Sequence, residues 1–173
     1  MRSGKITANF SWSETAVSRR FPQLVEPVPA SLAPRAESLA TKVLQPIRDE
    51  LGRAMAVSSW YRSPRLNAAL KGSSTSQHLR AEAADWKTAR LREAWLTIIE
   101  MVRSGTLPDA GQLVYYPDDG FIHVALASPR FKLPTMCVQW PRKGFRYARH
   151  APTPMSFSLL VPEAEDPTLR PTP

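Results

Sequence analysis

Cysteine is almost missing from this chain. Cys137 is the single thiol in 173 residues, which excludes an internal disulfide framework and any metal site built on several thiolates, and fits synthesis in a reducing compartment. Within TMCVQW it is expected to be a buried structural thiol. No stretch approaches the roughly 18 consecutive apolar residues of a membrane-spanning helix. The opening MRSGKITANFSWSE lacks the apolar middle of a secretory signal, so work outside a cytoplasm would need another route of release. Histidine is scarce too, with three residues at positions 78, 123 and 150. Zinc-finger, recognition-helix and RNA-binding signatures are absent.

What is present suits one domain. The chain is 43% hydrophobic, enough for a single core at this length. Its formal charge of +8 implies attraction to polyanions, whether nucleic acid, anionic lipid or anionic wall polymers. The basic residues are scattered rather than gathered in one block, so nucleic acid is not the expected main partner.

Ser11 and Glu14 read as a capping box opening a short helix through Arg20. FPQLVEPVPASLAP follows, too rich in proline for a regular helix or a central strand, and is expected to wrap the surface as an extended arm. Apolar residues Leu39, Val43, Leu44, Ile47 and Leu51 recur at three and four, predicting an amphipathic helix over 35–51 with Pro46 as a kink and Gly52 as its end. A core strand is expected over 54–61, a helix over Pro64–Leu70, a polar loop KGSSTSQ and a strand over Ala81–Trp86. ARLREAWLTIIEMVRSG predicts a helix ended by Gly105. QLVYY and FIHVAL, joined by Pro-Asp-Asp-Gly, predict paired antiparallel strands. TMCVQW and GFRYAR read as further strands. The expectation is an α+β domain over 1–149, a small and mainly antiparallel sheet backed by helices, with a Pro-rich tail over 150–173.

His78 falls at a loop-to-strand junction, Asp85 in the strand that follows and His123 in the middle of FIHVAL. Two imidazoles and one carboxylate make a three-ligand zinc site with a fourth position open, which is a catalytic ligand count. Spacing alone leaves the alternative of a core histidine satisfied by hydrogen bonds and an aspartate that caps a turn. His150, in YARHAPT, is expected to be exposed and uninvolved.

The segments SWYRSPRLN (59–67), GSSTSQHLRAEAAD (72–85), QLV (112–114) and FIHV (121–124), in this order, resemble the zinc D-Ala-D-Ala carboxypeptidase-like peptidases. That family includes phage endolysins cutting peptidoglycan stem peptides and shares its fold with the hedgehog signalling domain. The resemblance implies zinc held by His78, Asp85 and His123, a substrate-facing Arg62, and Ser76 and Gln77 as polar groups beside the first ligand, with Ser76 as either a substrate contact or a loop cap. It implies a peptidoglycan-peptide substrate. A monomer is expected, and the lack of a signal peptide suits a phage or virion protein, or synthesis in a cytoplasm before release to the wall.

Two positions depart from the family pattern. Ala81 stands where the family has glycine, and an alanine there is expected to exclude positive φ. Tyr116 stands where the family has a glutamate base, and a phenol with an ordinary pKa near 10 is a poor base at neutral pH. The nearest acids are Asp118 and Asp119, either of which is a candidate base or simply a turn residue. The sequence therefore supports a zinc peptidase of the peptidoglycan stem, or a catalytically impaired wall-binding or virion protein with the same fold. A virion protein using its basic surface on DNA is a third class.

Overall fold

The computed structural model describes residues 2–129, 134–140 and 144–149, with side chains through Ser128 and Pro129 and again over 134–138. Ser11 and Glu14 form the expected capping arrangement, the Ser11 N–H donating to Glu14 Oε2 at 2.8 Å. The helix they open is a single 3₁₀ turn, Trp12–Thr15, and does not reach Arg20. The chain is captured instead by a neighbouring strand: Thr15 O accepts the Tyr61 N–H at 3.0 Å, and Ser18 bridges Ser59. The proline-rich arm holds two more 3₁₀ turns, Pro22–Leu24 and Ala30–Leu32, as proline-fixed φ angles allow.

The predicted long helix forms as α1 (Ala33–Leu39), a π turn over Ala40–Leu44 and α2 (Gln45–Leu51). Pro46 explains the interruption. It has no N–H to donate, and its ring would press on the carbonyl four residues back in a regular α turn, whereas a wider turn gives it room. Gly52 closes the helix in the left-handed conformation, φ 59°, its N–H reaching Arg48 O and Asp49 O. Then come β1 (Ala56–Ser59), α3 (Pro64–Ala69), β2 (Ala83–Lys87), α4 (Leu91–Arg103), β3 (Ala110–Tyr116), β4 (Phe121–Leu126), β5 (Thr135–Trp140) and β6 (Gly144–Arg149). Each matches an expected element within a few residues. Among the described residues no helix is long and apolar enough to cross a membrane.

The strands form one sheet in the order β1-β2-β4-β3-β5-β6. Every pairing is antiparallel except β3 with β5, which run parallel. This is the α+β architecture read from the sequence, with one parallel pairing that hairpin signals did not anticipate. Strand alternation sorts the side chains. Trp86, Ile122, Val124, Leu113, Tyr115, Met136 and Val138 face the helices and join Leu39, Val43, Leu44, Ile47, Trp95, Ile98 and Ile99 in one core. The alternate residues Asp85, His123, Val114 and Cys137 occupy the opposite face, in register across the central strands. Cys137 is buried there, as expected, and burial pushes its thiol up to about 12. The 150–173 tail, His150 included, lies outside the described residues.

Candidate metal centre

Three local structures bring the histidines and the aspartate together. Asp85 and His123 sit directly opposite each other on β2 and β4, which places their side chains on the same face with Cβ atoms roughly 5 Å apart. His78 arrives from a 3₁₀ turn, Gln77–Arg80. That turn is anchored from both sides: the Arg62 N–H donates to His78 O at 3.1 Å and the Trp60 indole N–H to Ala81 O at 3.2 Å. The turn closes on Ala81 at φ 57°, in the left-handed region. The expectation that alanine there excludes positive φ is therefore corrected. The local hydrogen bonds and the burial of the Ala81 methyl hold a conformation that costs alanine about 1–2 kcal/mol.

Asp85 Oδ1 lies 2.8 Å from His123 Nδ1 and 3.3 Å from His78 Nε2. The three potential ligand atoms are all within 4.8 Å of one another. Tetrahedral ligands about 2.0–2.1 Å from a zinc ion stand roughly 3.3 Å apart, and the two separations to Asp85 Oδ1, 2.8 and 3.3 Å, are close to that spacing. Asp85 Oδ2 receives the Arg62 guanidinium, Nη2 to Oδ2 at 2.5 Å, while Arg62 Nε donates to Ser59 Oγ at 2.8 Å.

The proton count points to a cation. His78 Nδ1 is 2.7 Å from Trp60 O, and a carbonyl only accepts, so the ring proton belongs on Nδ1 and Nε2 keeps its lone pair. That lone pair faces a carboxylate oxygen 3.3 Å away. Two acceptors at this distance need a positive charge between them, either a proton on Nε2 or a metal ion. Burial is the largest influence on His78 and lowers its pKa, against the raising pull of Asp85. For Asp85, burial opposes ionisation, but the two neighbouring histidines together outweigh it and hold the carboxyl below the usual carboxylate range. A neutral imidazole facing an ionised carboxylate is the protonation pattern a divalent ion selects. The residues present fit a zinc ion.

A polar pocket of about 280 Å³ opens beside the cluster, with His123, Ser76, Gln77, Arg80 and Gln112 in its wall. Its loop is shaped by Asn67 on α3, whose Nδ2 donates to Gly72 O and Ser73 O. A Cβ on Gly72 would stand 2.3 Å from Asn67 Oδ1, so a larger residue in the KGSS turn would displace the Asn67 amide that shapes it. On the other side β3 is bulged between Ala110 and Leu113. A Cβ on Gly111 would meet Leu126 O at 2.3 Å, and this close approach sets the position of Gln112. A larger cavity of about 730 Å³, between the N-terminal segment and the arm near Trp12 and Val28, contains none of the cluster residues. The chemistry lies with the smaller pocket.

Of the other expected site residues, Ser76 occupies the cap position of the 3₁₀ turn, but its hydroxyl makes no capping bond. Gln77 is buried. Its Nε2 donates to Leu126 O at 3.2 Å, and its Oε1 is buried without a partner among the described residues. Arg62 is turned to Asp85 and Ser59 and is not in the wall of the pocket. Asp118 and Asp119 are exposed in the β3–β4 turn and stand outside the His–Asp–His group. Tyr116 stacks on Phe121, ring centroids 4.3 Å apart. Burial first, then the charge of Asp85, raise its phenol above the ordinary pKa, so at neutral pH it is a proton donor rather than a base. Sequence reasoning missed Arg80 and the Trp60 carbonyl; Arg80 was within reach, two residues after His78 in the motif itself.

A family model for Peptidase M15 matches residues 9–125, a span that holds the whole cluster and the pocket residues Ser76, Gln77, Arg80 and Gln112. No curated protein matches the chain. With the matched span covering roughly two thirds of its length, and with the His–Asp–His group assembled inside it, the chain belongs to the peptidase M15 family.

Proposed function

We propose that the protein is a zinc-dependent peptidase hydrolysing an amide bond of the peptidoglycan stem peptide, with His78 Nε2, Asp85 Oδ1 and His123 Nδ1 as the protein ligands. The observation that carries this reading is the convergence of His78, Asp85 and His123, whose potential ligand atoms all lie within 4.8 Å of one another beside a polar pocket. When bound, zinc supplies a Lewis acid at the scissile carbonyl and makes water a stronger acid.

The remaining work falls to the chain. The Trp60 carbonyl keeps the His78 proton on Nδ1, and Arg62 holds Asp85 in orientation through Oδ2. Ser76 and Gln77 offer hydrogen bonds to the substrate backbone. The protonated Tyr116 phenol is suited to donate a hydrogen bond to charge developing on the carbonyl oxygen. Asp119, whose charge reaches Tyr116, is the carboxylate we assign to accept a proton from the attacking water. The charge of +8 suits an anionic wall.

Metal analysis and wall digestion test this together. Untreated protein is expected to carry one zinc per chain, lost in His78→Ala, and to release new amino termini from cell-wall sacculi, with release abolished by chelator. Asp119→Asn is expected to lower the rate roughly 10²-fold or more, while Asp118→Asn stays within about threefold. Absence of zinc from protein purified without chelator and reconstituted with excess metal would overturn the reading.

A second reading is favoured by the raised Tyr116 pKa and the exposure of both turn aspartates: a zinc-containing wall-binding or virion protein with impaired turnover. It predicts stoichiometric zinc and wall binding without cleavage, and gain of cleavage in Tyr116→Glu.

A further inference from the structure

The cavity of about 730 Å³ between the N-terminal segment and the arm has walls of two kinds. Trp12 and the arm residues Val25, Pro27 and Val28 make one side apolar, and Arg2 and Lys5 bring positive charge from the N-terminal segment. No acidic side chain lines it. Arg2 lies over the Trp12 ring, 5.1 Å from its centroid, and its pairing with Glu37 is a loose one at 3.7 Å between half-exposed side chains, a contact of little energy. Lys5 is exposed, and no ion pair engages it among the described residues. The cavity therefore suits an occupant that carries apolar side chains and negative charge close together. The chain itself has such a run beyond β6. Leu159, Leu160 and Val161 are followed directly by Pro162, Glu163, Ala164, Glu165 and Asp166. Those three acids are all that residues 150–173 contain.

We propose that this cavity holds the chain's own C-terminal segment, with Leu159, Leu160 and Val161 against the apolar side and the carboxylates of Glu163, Glu165 and Asp166 against Arg2 and Lys5, so that the tail straps the N-terminal segment to the arm. The place where the tail starts makes this feasible. Arg149 closes β6 opposite Thr135, Thr135 pairs with Gln112, and the same end of the sheet continues through Leu126 and Ala83 to the Ser59 end of β1. Just past Ser59, the Tyr61 N–H donates to the carbonyl of Thr15, a residue of the cavity wall. The five strand-to-strand steps from β6 to β1 cover roughly 24 Å. The 14 residues from Arg149 to Glu163 reach roughly 46–50 Å when extended, about twice what the crossing needs. Pro162 and Pro167 bracket the acids and each fixes one φ in advance, which lowers the entropy lost on docking. A tethered segment is also present at an effective concentration of roughly millimolar order, which a separate acidic peptide would have to exceed. The proposal needs neither metal nor catalysis.

The test is zero-length carbodiimide cross-linking of the full chain, with the linked peptides located by mass spectrometry. At low salt Lys5 is expected to join Glu163, Glu165 or Asp166 within one chain, at roughly tenfold or more the yield of the exposed Lys71. The yield should collapse in about 1 M salt, where the screening length falls to roughly 3 Å. Leu159→Ser combined with Leu160→Ser leaves every charge and every described residue in place. It is expected to cut the Lys5 yield roughly fivefold or more, because the apolar contact is lost. Val28→Asp, in the cavity wall, is expected to do the same with zinc content unchanged. A yield at Lys5 no higher than at Lys71, or one that survives the paired leucine substitution, overturns the strap. Links that join two chains assign the cavity to a second copy and overturn it equally.

Discussion

Replacing Arg62 with methionine tests how the buried aspartate is held. Asp85 is 7% exposed overall, and the two charged side chains are 16% and 10% exposed. The substitution keeps most of the stem but removes the 2.5 Å contact to Oδ2 and leaves Ser59 Oγ without its donor. Removing one partner of a buried ion pair costs about 3–5 kcal/mol, since the survivor keeps its desolvation without its compensation. Asp85 retains the two histidines at Oδ1, so the low end applies, about 3 kcal/mol in metal-free protein. That is a large share of the roughly 5–15 kcal/mol that holds a domain together. Urea unfolding in the presence of chelator measures it, and a double-mutant cycle isolates the pair. In an Asp85→Asn background the same Arg62→Met change is expected to cost less than about 1 kcal/mol, because a neutral amide does not need the guanidinium. Equal costs in the two backgrounds would show that Arg62 stabilises by packing alone, and the account of a charge-held ligand would fail.

Three further outcomes follow from the same geometry. Metal-free protein should lose stability as pH falls from about 7 toward 5. The lowered His78 pKa means the unfolded chain takes up a proton near pH 6.5 that the native ring resists, at up to about 1.4 kcal/mol per pH unit. Flat stability over that range, measured by urea unfolding at fixed ionic strength, would contradict a buried neutral His78. The depressed Asp85 pKa acts in the same direction at lower pH, its contribution being present above about pH 4 and lost as pH falls further. Cys137, buried with its thiol pushed up to about 12, should react with a maleimide at pH 7.5 only after denaturant is added; prompt labelling of native protein would refute the burial. Gly111→Ala should destabilise by about 1–3 kcal/mol and weaken peptide binding more than zinc binding, since its Cβ would push on Leu126 O and shift Gln112. A variant as stable as wild type would deny the close approach of β3 to β4.

Local chemistry determined much of this protein without help from tertiary contacts. Period-2 and period-3.6 patterns placed the helices and strands, Gly52 and Gly105 ended the helices they follow, and Pro-Asp-Asp-Gly joined β3 to β4, because each signal acts within a few residues. The order of the His78, Asp85 and His123 motifs likewise pointed to a common centre before any contact was known. What folding alone decided is what depends on register and on close approach. The direct opposition of Asp85 and His123 follows from β2–β4 pairing, and a slip of one residue would turn one of them into the core. The left-handed Ala81 could not be read from propensity, because hydrogen bonds from Trp60 and Arg62, some twenty residues away, stabilise the turn against its local cost. The same holds for Arg62, whose guanidinium turned to Asp85, and for the parallel β3–β5 pair. Sequence spacing names the groups able to meet; hydrogen-bond direction and desolvation, which exist only once the chain is packed, settle which of them do.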